Sequence, residues 1–378
     1  MSENNIKRVF DILENNFQLE VLLHCVDLEQ TLAFYTGQLN FSIEMIFPAD
    51  EPRVALLDGF NQRFRLQKDG LIDSSIFQIT GDVSEEQTIT APNGTEFKFI
   101  KAQHDVILPD LQASLVLTRL DKTSQWHAGR AGMRYRDLIP DRQGGRFIAS
   151  HIHIPDGGPV ADYVHFHHIR FQMIFCYKGW VKVVYEDQGE PFILRAGDCV
   201  LQPPKIRHRV LESSENLEVI EIGCPAEHLT FADKTLTLPN DNFNPQREFT
   251  GQKFVRHESE TASWAPWRIS GFEQRDLGIA DATRGLAGAY VVRGLSTYAH
   301  MSRTDDCMIH DEEFLFLFIL SGELEIFIES RDDLLLNAGD CCVIPAKLPY
   351  RLEEVSDDIE MLEVRMSAAF KKVEMVNC

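Results

Sequence analysis

Several features that mark other classes of protein are missing from this sequence. No run of eighteen apolar residues occurs, and the opening MSENNIKR lacks the apolar segment of a signal peptide. Basic residues are scarce, because 37 Lys and Arg stand against 58 Asp and Glu, for a formal charge of −21. Nucleic acid is not an expected partner, since phosphate binding needs a basic face. We therefore expect a cytoplasmic protein that binds neither nucleic acid nor a membrane.

Cysteine is present, but its spacing offers no metal cluster. None of the eight cysteines forms a C-x-x-C pair, which argues against a cysteine zinc site. In a cytosolic chain we expect these cysteines to be small buried side chains rather than disulfides. The length of 378 residues and the apolar content of 44% are those of a globular protein with two or three domains.

Two stretches of the chain are copies of one another. RAGDCVLQPPKIRHR (195–209) and NAGDCCVIPAKLPYR (337–351) share seven of fifteen residues at a constant offset of 142, and LEVIEI (217–222) matches IEMLEV (359–364) at the same offset. Around both copies, short runs rich in Val, Ile, Leu and Phe alternate with Gly, Pro and Asp. This pattern predicts antiparallel hairpins that close into two similar barrels or sandwiches.

A group of closely spaced histidines precedes the first copy. In GPVADYVHFHHIRFQMIFCYKG (158–179), His165 and His167 are two residues apart, so on a strand they point to the same face. Gln172 can enter the same pocket from the next strand, and His208 adds a third imidazole from the repeated hairpin. Three imidazole nitrogens and one amide oxygen suit one borderline divalent ion per chain, such as Fe, Zn, Ni or Mn.

These residues resemble the two signature motifs of the cupin superfamily, whose barrels are double-stranded β-helices, or jelly rolls. The resemblance implies that His165, His167, His208 and Gln172 hold the metal. Cupins usually carry Glu at the position of Gln172 and Gly at that of Lys205, so we expect Lys205 to avoid the positive φ that glycine tolerates. As an alternative, Gln172 hydrogen-bonds a bound water or the substrate. The matched positions are Gly158, His165, His167, Gln172, Gly179, Gly197, Pro203, Lys205 and His208.

The second copy does not keep these ligands. The same template places Met308 and His310 at the two histidine positions, Leu315 at that of Gln172 and Tyr350 at that of His208. A thioether and a hydrocarbon are poor ligands for such a cation. We therefore expect the second barrel to be structural.

Neighbours of the site follow from strand alternation. Cys176 shares the face of Gln172, and Gln202 shares that of His208, so both are predicted to line a substrate pocket. Arg170 and Arg207 lie near its rim and are candidates for binding a carboxylate. Because a shell of neutral ligands leaves the ion's charge uncompensated, the expected substrate is a small, anionic, chelating organic molecule, and a dianionic one such as a hydroxy acid or enol is slightly favoured.

The amino-terminal third carries neither motif. LEVLLHCVDLEQTLAFYTGQLNFSIEMIF (19–47) is typical of strand, helix and strand, with Asp27 as the helix cap and Leu32, Phe34 and Tyr35 as its apolar stripe. Two further strands give a βαβββ order that resembles one module of the vicinal oxygen chelate (glyoxalase-like) superfamily. The metal positions of that family fall at Glu20 and Lys98, and an ammonium group cannot bind a cation. A docking or dimerisation role is therefore favoured over a small-ligand pocket.

The predicted fold is mainly β, with two cupin barrels preceded by a small α+β domain. The domains are expected at 1–105, 106–235 (metal-binding) and 236–378 (degenerate). Two kinds of metal chemistry fit, dioxygenase chemistry and Lewis-acid catalysis. The first is that of the gentisate-type bicupin dioxygenases, which this chain resembles in having one functional barrel. A non-catalytic sensor or ligand-binding protein is the alternative. Cupin barrels have exposed sheet edges, so we also expect a homodimer.

Overall fold

The protein consists mainly of β-strands, as predicted. The structure is a computed structural model and describes residues 18–102, 105–295, 306–329, 331, 334–367 and 374–377. The chain divides into two compact units, Met1–Asp105 and Val106–Cys378. Within the described residues, no helix has the length and apolar character needed to cross a membrane.

The amino-terminal unit has the predicted βαβββ order, followed by three more strands. The first four strands form a sheet in the order β1-β4-β3-β2, with β1 parallel to β4, and the last three form a sheet in the order β5-β7-β6. The elements are β1 (Glu20–Cys25), α1 (Leu28–Gln38), β2 (Ser42–Phe47), β3 (Val54–Gly59), β4 (Gln62–Lys68), β5 (Ile76–Gly81), β6 (Gln87–Thr90) and β7 (Glu96–Lys101).

Helix α1 begins where the sequence predicts. The carboxylate of Asp27 accepts a hydrogen bond from the backbone N–H of Gln30 at 3.0 Å, which satisfies one of the unpaired donors of the first turn. Tyr35 is fully buried, and Leu32 and Phe34 pack against the same core. The apolar stripe therefore attaches the helix to the sheet.

Removing this cap should weaken the amino-terminal unit. Asp27→Ala is expected to lower the free energy of unfolding by about 1 kcal/mol, because the N–H of Gln30 loses its acceptor. Urea titration followed by circular dichroism measures the effect. Asp27→Asn keeps an acceptor and should stay within a few tenths of a kcal/mol of the parent. Equal losses in both variants would show that the cap does not stabilise the helix.

The two residues aligned with glyoxalase-like metal positions lie in different sheets of this unit. The carboxylate of Glu20 is 2.7 Å from both Nε and Nη2 of Arg65. Lys98 is on β7, 3.7 Å from the carboxylate of Glu96. An arginine thus already neutralises the one carboxylate that this alignment offers.

The second unit contains the repeat. Two short 3₁₀ turns, Arg130–Gly132 and Ser259–Thr261, and one short helix, α2 (Ile279–Ala282), interrupt the strands. The first thirteen strands are β8 (Val116–Thr118), β9 (His127–Ala128), β10 (Arg134–Asp137), β11 (Ile148–Ile154), β12 (Gly158–Pro159), β13 (His165–His168), β14 (Phe171–Lys178), β15 (Trp180–Tyr185), β16 (Phe192–Arg195), β17 (Cys199–Leu201), β18 (His208–Ser213), β19 (Leu217–Cys224) and β20 (Leu229–Ala232).

The strands of the second half follow the same order. They are β21 (Glu248–Phe249), β22 (Gln252–Lys253), β23 (Val255–His257), β24 (Ala265–Pro266), β25 (Phe272–Asp276), β26 (Gly288–Gly294), β27 (Asp306–Ile309), β28 (Phe314–Ser321), β29 (Glu323–Ile328), β30 (Leu334–Asn337), β31 (Cys341–Val343), β32 (Tyr350–Val355), β33 (Glu360–Met366) and β34 (Glu374–Asn377).

Each barrel is made of two facing sheets. The first combines β23-β17-β14-β19-β11-β10-β9 with β16-β15-β18-β13-β20, and the second combines β24-β25-β26-β33-β28-β31-β8 with β30-β29-β32-β27-β34. The barrels exchange edge strands, because β8 pairs with β31 and β23 pairs with β17. This exchange crosses the boundary predicted between residues 235 and 236.

The barrels also share one apolar core. The rings of Phe147 and Phe314 stack at 4.2 Å between centroids, and the outward faces of β14, β19, β28 and β33 contribute to the same cluster. Glu313 of the second barrel accepts hydrogen bonds from Arg146 and Arg170 of the first. The two barrels are therefore packed against each other as one folding unit.

Most cysteines are buried thiols, as predicted, with one exception. Six described cysteines are free and buried. Cys307, in contrast, is in a disulfide, so the expectation that no cysteine is oxidised is wrong for this residue. Cys307 is on β27, which pairs with β34 so that Cys307 lies opposite Val376, a residue distant in sequence. Sequence patterning gives no indication of this long-range pairing.

Candidate metal centre

Three histidines from two strands meet inside the first barrel. His165 and His167 are on β13, and His208, the first residue of β18, lies directly opposite His165. One ring nitrogen of each lies within 4.8 Å of those of the other two. His165 and His208 are buried, and His167 is half-buried. In the described part of the chain, this is the one cluster of His, Cys, Asp or Glu side chains with a spacing suited to a metal ion.

Hydrogen bonds to backbone carbonyls fix the protonation of two of these rings. His165 Nδ1 is 2.8 Å from the carbonyl oxygen of Tyr163, and His208 Nδ1 is 3.1 Å from that of Ile206. Because a carbonyl oxygen only accepts, each Nδ1 carries the proton and each Nε2 carries the lone pair. His167 Nδ1 is 2.8 Å from the hydroxyl of Thr230. This is the arrangement that metal-binding histidines use, so the residues fit a divalent ion.

A chain of hydrogen bonds continues from the histidines across the barrel. The Tyr185 hydroxyl donates to Oε1 of Gln202 at 2.7 Å, and Gln202 Nε2 donates to Oε1 of Gln172 at 3.2 Å. Gln172 Nε2 donates in turn to the carboxylate of Glu221 at 2.5 Å. Gln202 Nε2 is also 3.4 Å from His208 Nε2. The two amides are thus held in one orientation beside the histidines.

These polar groups face a small apolar cavity of about 280 Å³. Its wall is mainly aliphatic, and its polar groups converge from several strands, as in binding sites for small molecules. The aliphatic wall includes Ile152, Ile174, Val181, Val183, Val210 and Val219, and the polar groups include His167, Gln172, Gln202, His208, Glu221, His228 and Thr230.

Of the four residues predicted to line a substrate pocket, Gln202 lies on the cavity wall. Arg170 precedes β14 and is 3.3 Å from the carboxylate of Glu313. Arg207 is next to His208 and so faces the other way, 3.2 Å from Asp233 and stacked on Phe166.

The fourth predicted residue, Cys176, does point into the barrel but lies deeper than the cavity. It is fully buried within the apolar cluster of the first barrel. Burial raises the pKa of its thiol to about 12. The thiol is therefore neutral at physiological pH and 3.6 Å from the carbonyl oxygen of Gly179.

One expectation about the turn before His208 is wrong. Lys205 has a φ of 67°, and Lys347 at the same place in the second copy has a φ of 68°. Both adopt the left-handed conformation that was expected only of glycine. The backbone N–H of Lys205 donates to the carbonyl of His167 at 3.0 Å, and that of Lys347 donates to His310 at 2.9 Å. These bonds tie each turn to the strand beside it and offset a conformational cost of about 1 kcal/mol.

The second barrel has buried apolar side chains at the positions where the first barrel has its candidate ligands and cavity. Leu315, Met308 and Tyr350, at the ligand positions of the template, belong to its buried apolar core. His310 is buried, with Nε2 3.0 Å from the carbonyl oxygen of Ile344, while Nδ1 accepts from the backbone N–H of Glu312. The second barrel thus uses its remaining histidine to hold the backbone of the loop that follows it.

Burial lowers the pKa of His310 to about 4, below the 6.5 of an exposed histidine, and Arg268 acts in the same direction. Between these pH values the unfolded chain binds a proton that the folded chain does not, so stability should fall as the pH drops from 6.5 to 4. We expect His310 to contribute a loss of roughly 2 to 3 kcal/mol over this range.

Urea unfolding at several pH values measures this loss. His310→Gln can keep both hydrogen bonds without titrating, and its stability should fall less over the same range. Identical pH profiles for the two proteins would contradict the assignment of a neutral, buried His310.

Three residues of the site were not foreseen. Glu221 was overlooked although the alternation of LEVIEI places it on the same face as Leu217 and Val219, which line the cavity. Thr230 lies on β20, which pairs with β13, and His228 immediately precedes β20. The carboxylate of Glu221 lies one hydrogen bond from Gln172, outside the predicted set of neutral ligands.

Fold and site together define a mainly β protein with two barrels, of which the first carries a histidine triad. No protein-family model matches the chain, and no curated protein matches it. Similar solved structures include oxalate decarboxylase from Bacillus subtilis at pH 4.6, with 13% identity, a TM-score of 0.46 and coverage of 72% of this chain and 79% of that chain.

Two further similar structures have comparable scores. One is a structure of the same Bacillus subtilis enzyme, from work on its Mn(II) centres. It has 12% identity, a TM-score of 0.47 and coverage of 72% of this chain and 80% of that chain. The other is protein Ylba from E. coli, with 12% identity, a TM-score of 0.49 and coverage of 70% and 96%. At these identities and scores the similarity does not assign a family, a substrate or a reaction to this chain.

Proposed function

We propose that the first barrel is a cupin-type metal centre that binds one divalent ion through His165, His167 and His208 and acts on a small organic anion. The observation that carries this proposal is the convergence of one ring nitrogen from each of the three histidines, with Nδ1 of His165 and His208 held by backbone carbonyls. Both the H-x-H spacing and the cupin-like motifs support it. When bound, the ion supplies either Lewis-acid catalysis or dioxygenase chemistry.

The residues around the triad restrict the charge of the substrate. Among the groups that line the mainly aliphatic cavity, a divalent ion and the carboxylate of Glu221 leave one net positive charge. The buried carboxylate of Asp162, 3.7 Å from His165 Nδ1, lies behind this wall. Because an uncompensated charge in such surroundings is costly, a singly charged ligand suits the site better than a dianion. We therefore propose a monoanion, such as a 2-hydroxy acid or an enol, with an apolar remainder.

The other side chains of the cavity position this molecule. The aliphatic wall, including Ile152 and Val183, excludes water and packs against the apolar part of the ligand. Gln202 is held by Tyr185 and Gln172, and its second amide N–H lies on the side of the histidines, where an anionic oxygen can accept from it. Tyr185 keeps its proton, because burial raises the pKa of its hydroxyl.

Isothermal titration calorimetry with the metal-loaded protein tests the charge preference. The panel pairs short 2-hydroxy monocarboxylates with their methyl esters and with dicarboxylates of similar size. The monoanions should bind at least about tenfold more tightly than either, a difference of 1.4 kcal/mol. Equal binding of esters and acids would contradict an anionic substrate, and tighter binding of the dianions would contradict the charge balance.

A non-catalytic ligand-binding protein is the second candidate. It is favoured by the hydrogen bonds that engage Tyr185, Gln202, Gln172 and Glu221 with one another, since a rigid network suits binding as well as turnover. The anion that binds most tightly distinguishes an enzyme from a binding protein. It is incubated with metal-loaded protein, with and without oxygen, and the small molecules are then analysed by mass spectrometry. An enzyme gives a new product, and a binding protein leaves the ligand unchanged.

A further inference from the structure

Each barrel carries a glutamate at the same interior position. Glu221 on β19 and Glu363 on β33 are separated by the repeat offset of 142 residues. They also occupy matching places in the sheets, because Glu221 pairs with Ile174 of β14 and Glu363 pairs with Leu317 of β28. Glu221 lines the cavity of the first barrel, and Glu363 is fully buried. A carboxylate at such a position needs a positive or hydrogen-bonding partner.

In the second barrel the closest partner is Arg268, and Arg365 lies farther away, with its Nε 3.5 Å from Glu363 Oε1. Arg268 Nη1 is 2.7 Å from Glu363 Oε1, and Nη2 is 2.5 Å from Oε2, in a two-pronged ion pair. Burial alone would lower the pKa of Arg268, but the Glu363 carboxylate and the neighbouring Tyr350 raise it. Tyr350 lies opposite Met308 just as His208 lies opposite His165. The guanidinium is thus beside the residue that replaces a metal ligand.

In the first barrel the equivalent carboxylate meets a neutral amide. Glu221 accepts a hydrogen bond from Gln172 Nε2, and beyond this amide are Gln202 and the histidine triad. We infer that the metal ion of the first barrel is the counterpart of Arg268, and that Glu221 is the carboxylate that balances the charge of the ion through Gln172. This inference rests on the proposed metal centre and adds Glu221 to it as a positioning residue.

The polarity of the hydrogen bond gives Glu221 a specific task. An ionised carboxylate only accepts, so the Gln172 atom nearest to it is the NH2 group. The carbonyl oxygen of Gln172 is then directed to the other side, 3.2 Å from Gln202 Nε2, which is itself 3.4 Å from His208 Nε2. Glu221 therefore orients Gln172 with its oxygen, the only atom of the amide able to bind a cation, on the side of the histidines.

Metal titration of the full chain tests this role. Co(II) is the probe, because its visible absorption spectrum reports the coordination of the bound ion in addition to the affinity. Glu221→Gln removes the charge with little change in size. It should weaken Co(II) binding by about 10- to 100-fold, as losses of groups behind metal ligands do, and should alter the spectrum. Glu215→Gln, at an exposed position of the same barrel, is the matched control and should match the parent.

Gln172→Glu is a second variant that does not depend on how Glu221→Gln folds. It places two carboxylates side by side, so Co(II) should raise its melting temperature by more than it raises that of the parent. Unchanged affinity and spectrum in Glu221→Gln, or equal metal-induced shifts in Gln172→Glu and the parent, would overturn the role of Glu221. In both cases the parent still binds Co(II). Failure of the parent protein itself to bind Co(II) would overturn the proposed metal centre.

Discussion

His165→Ala/His208→Ala should reduce divalent metal binding from one ion per chain to the background level. Both rings are buried in the first barrel and present Nε2 to the same point, so the double variant removes two of the three nitrogen ligands. Removing groups behind a ligand already costs about 10- to 100-fold in metal affinity, and loss of two ligands should exceed that range. Titration with Mn(II), Zn(II) and Ni(II) after chelator treatment measures the loss.

A matched variant shows whether the loss of metal binding is specific to the triad or follows from any loss of histidines. His153→Ala/His257→Ala removes two histidines of the same unit that are not part of the cluster and should bind metal as the parent does. Circular dichroism establishes whether each variant is folded. If the triad variant keeps the parent affinity, or if both double variants lose metal equally, the ion is not held by His165, His167 and His208.

Arg268→Met should cost the second barrel about 3–5 kcal/mol of stability. The substitution leaves the Glu363 carboxylate, which is fully buried, without the guanidinium that now contacts both of its oxygens. The penalty comes mainly from a buried carboxylate that keeps only the more distant Arg365, whose Nε is 3.5 Å from Oε1. Arg268→Met/Glu363→Met should therefore recover most of the loss, because it removes this carboxylate together with its closest partner.

Urea unfolding of the single and double variants measures these differences. The control is Arg293→Met, which breaks a partly exposed ion pair with Glu273 and should cost about 1 kcal/mol or less. A double variant no more stable than Arg268→Met would mean that lost packing, and not the buried carboxylate, causes the effect. A loss for Arg268→Met as small as that for Arg293→Met would contradict a buried, charged pair.

The candidate metal ligands were predictable because they depend on local geometry. His165 and His167 are two residues apart, and a strand necessarily places such residues on one face. His208 follows from the repeat, because the second copy has Tyr350 at the equivalent position and strand pairing places both residues alike. The repeat also predicted two similar barrels. Alternation and internal repetition are thus sufficient to find side chains that regular strands carry.

Residues outside regular strands were not predictable in the same way. Arg170 has the parity of Gln172, but β14 begins only at Phe171, so alternation does not apply to Arg170 and its side chain pairs with Glu313. Arg268 lies in a stretch that has no clear strand pattern. Its ion pair with Glu363 spans 95 residues of sequence. Such contacts depend on how the barrel closes, which no local pattern encodes.

Glu221 is an intermediate case, because the alternation that reveals it was visible. A charged residue on the inward face of a strand is costly unless it has a partner, and this alone marks it as a candidate. Its significance becomes clear only beside Glu363 and Arg268, since the sequence does not indicate what fills the second barrel.

Anomalous X-ray diffraction from crystals of untagged protein, loaded with one equivalent of Zn(II) and measured at the zinc edge, tests the metal centre most directly. The account predicts one strong peak per chain, about 2.0–2.1 Å from Nε2 of His165, His167 and His208. No corresponding peak is expected among the described residues of the second barrel. Absence of the peak at the triad, or a dominant peak elsewhere in the chain, would contradict the account.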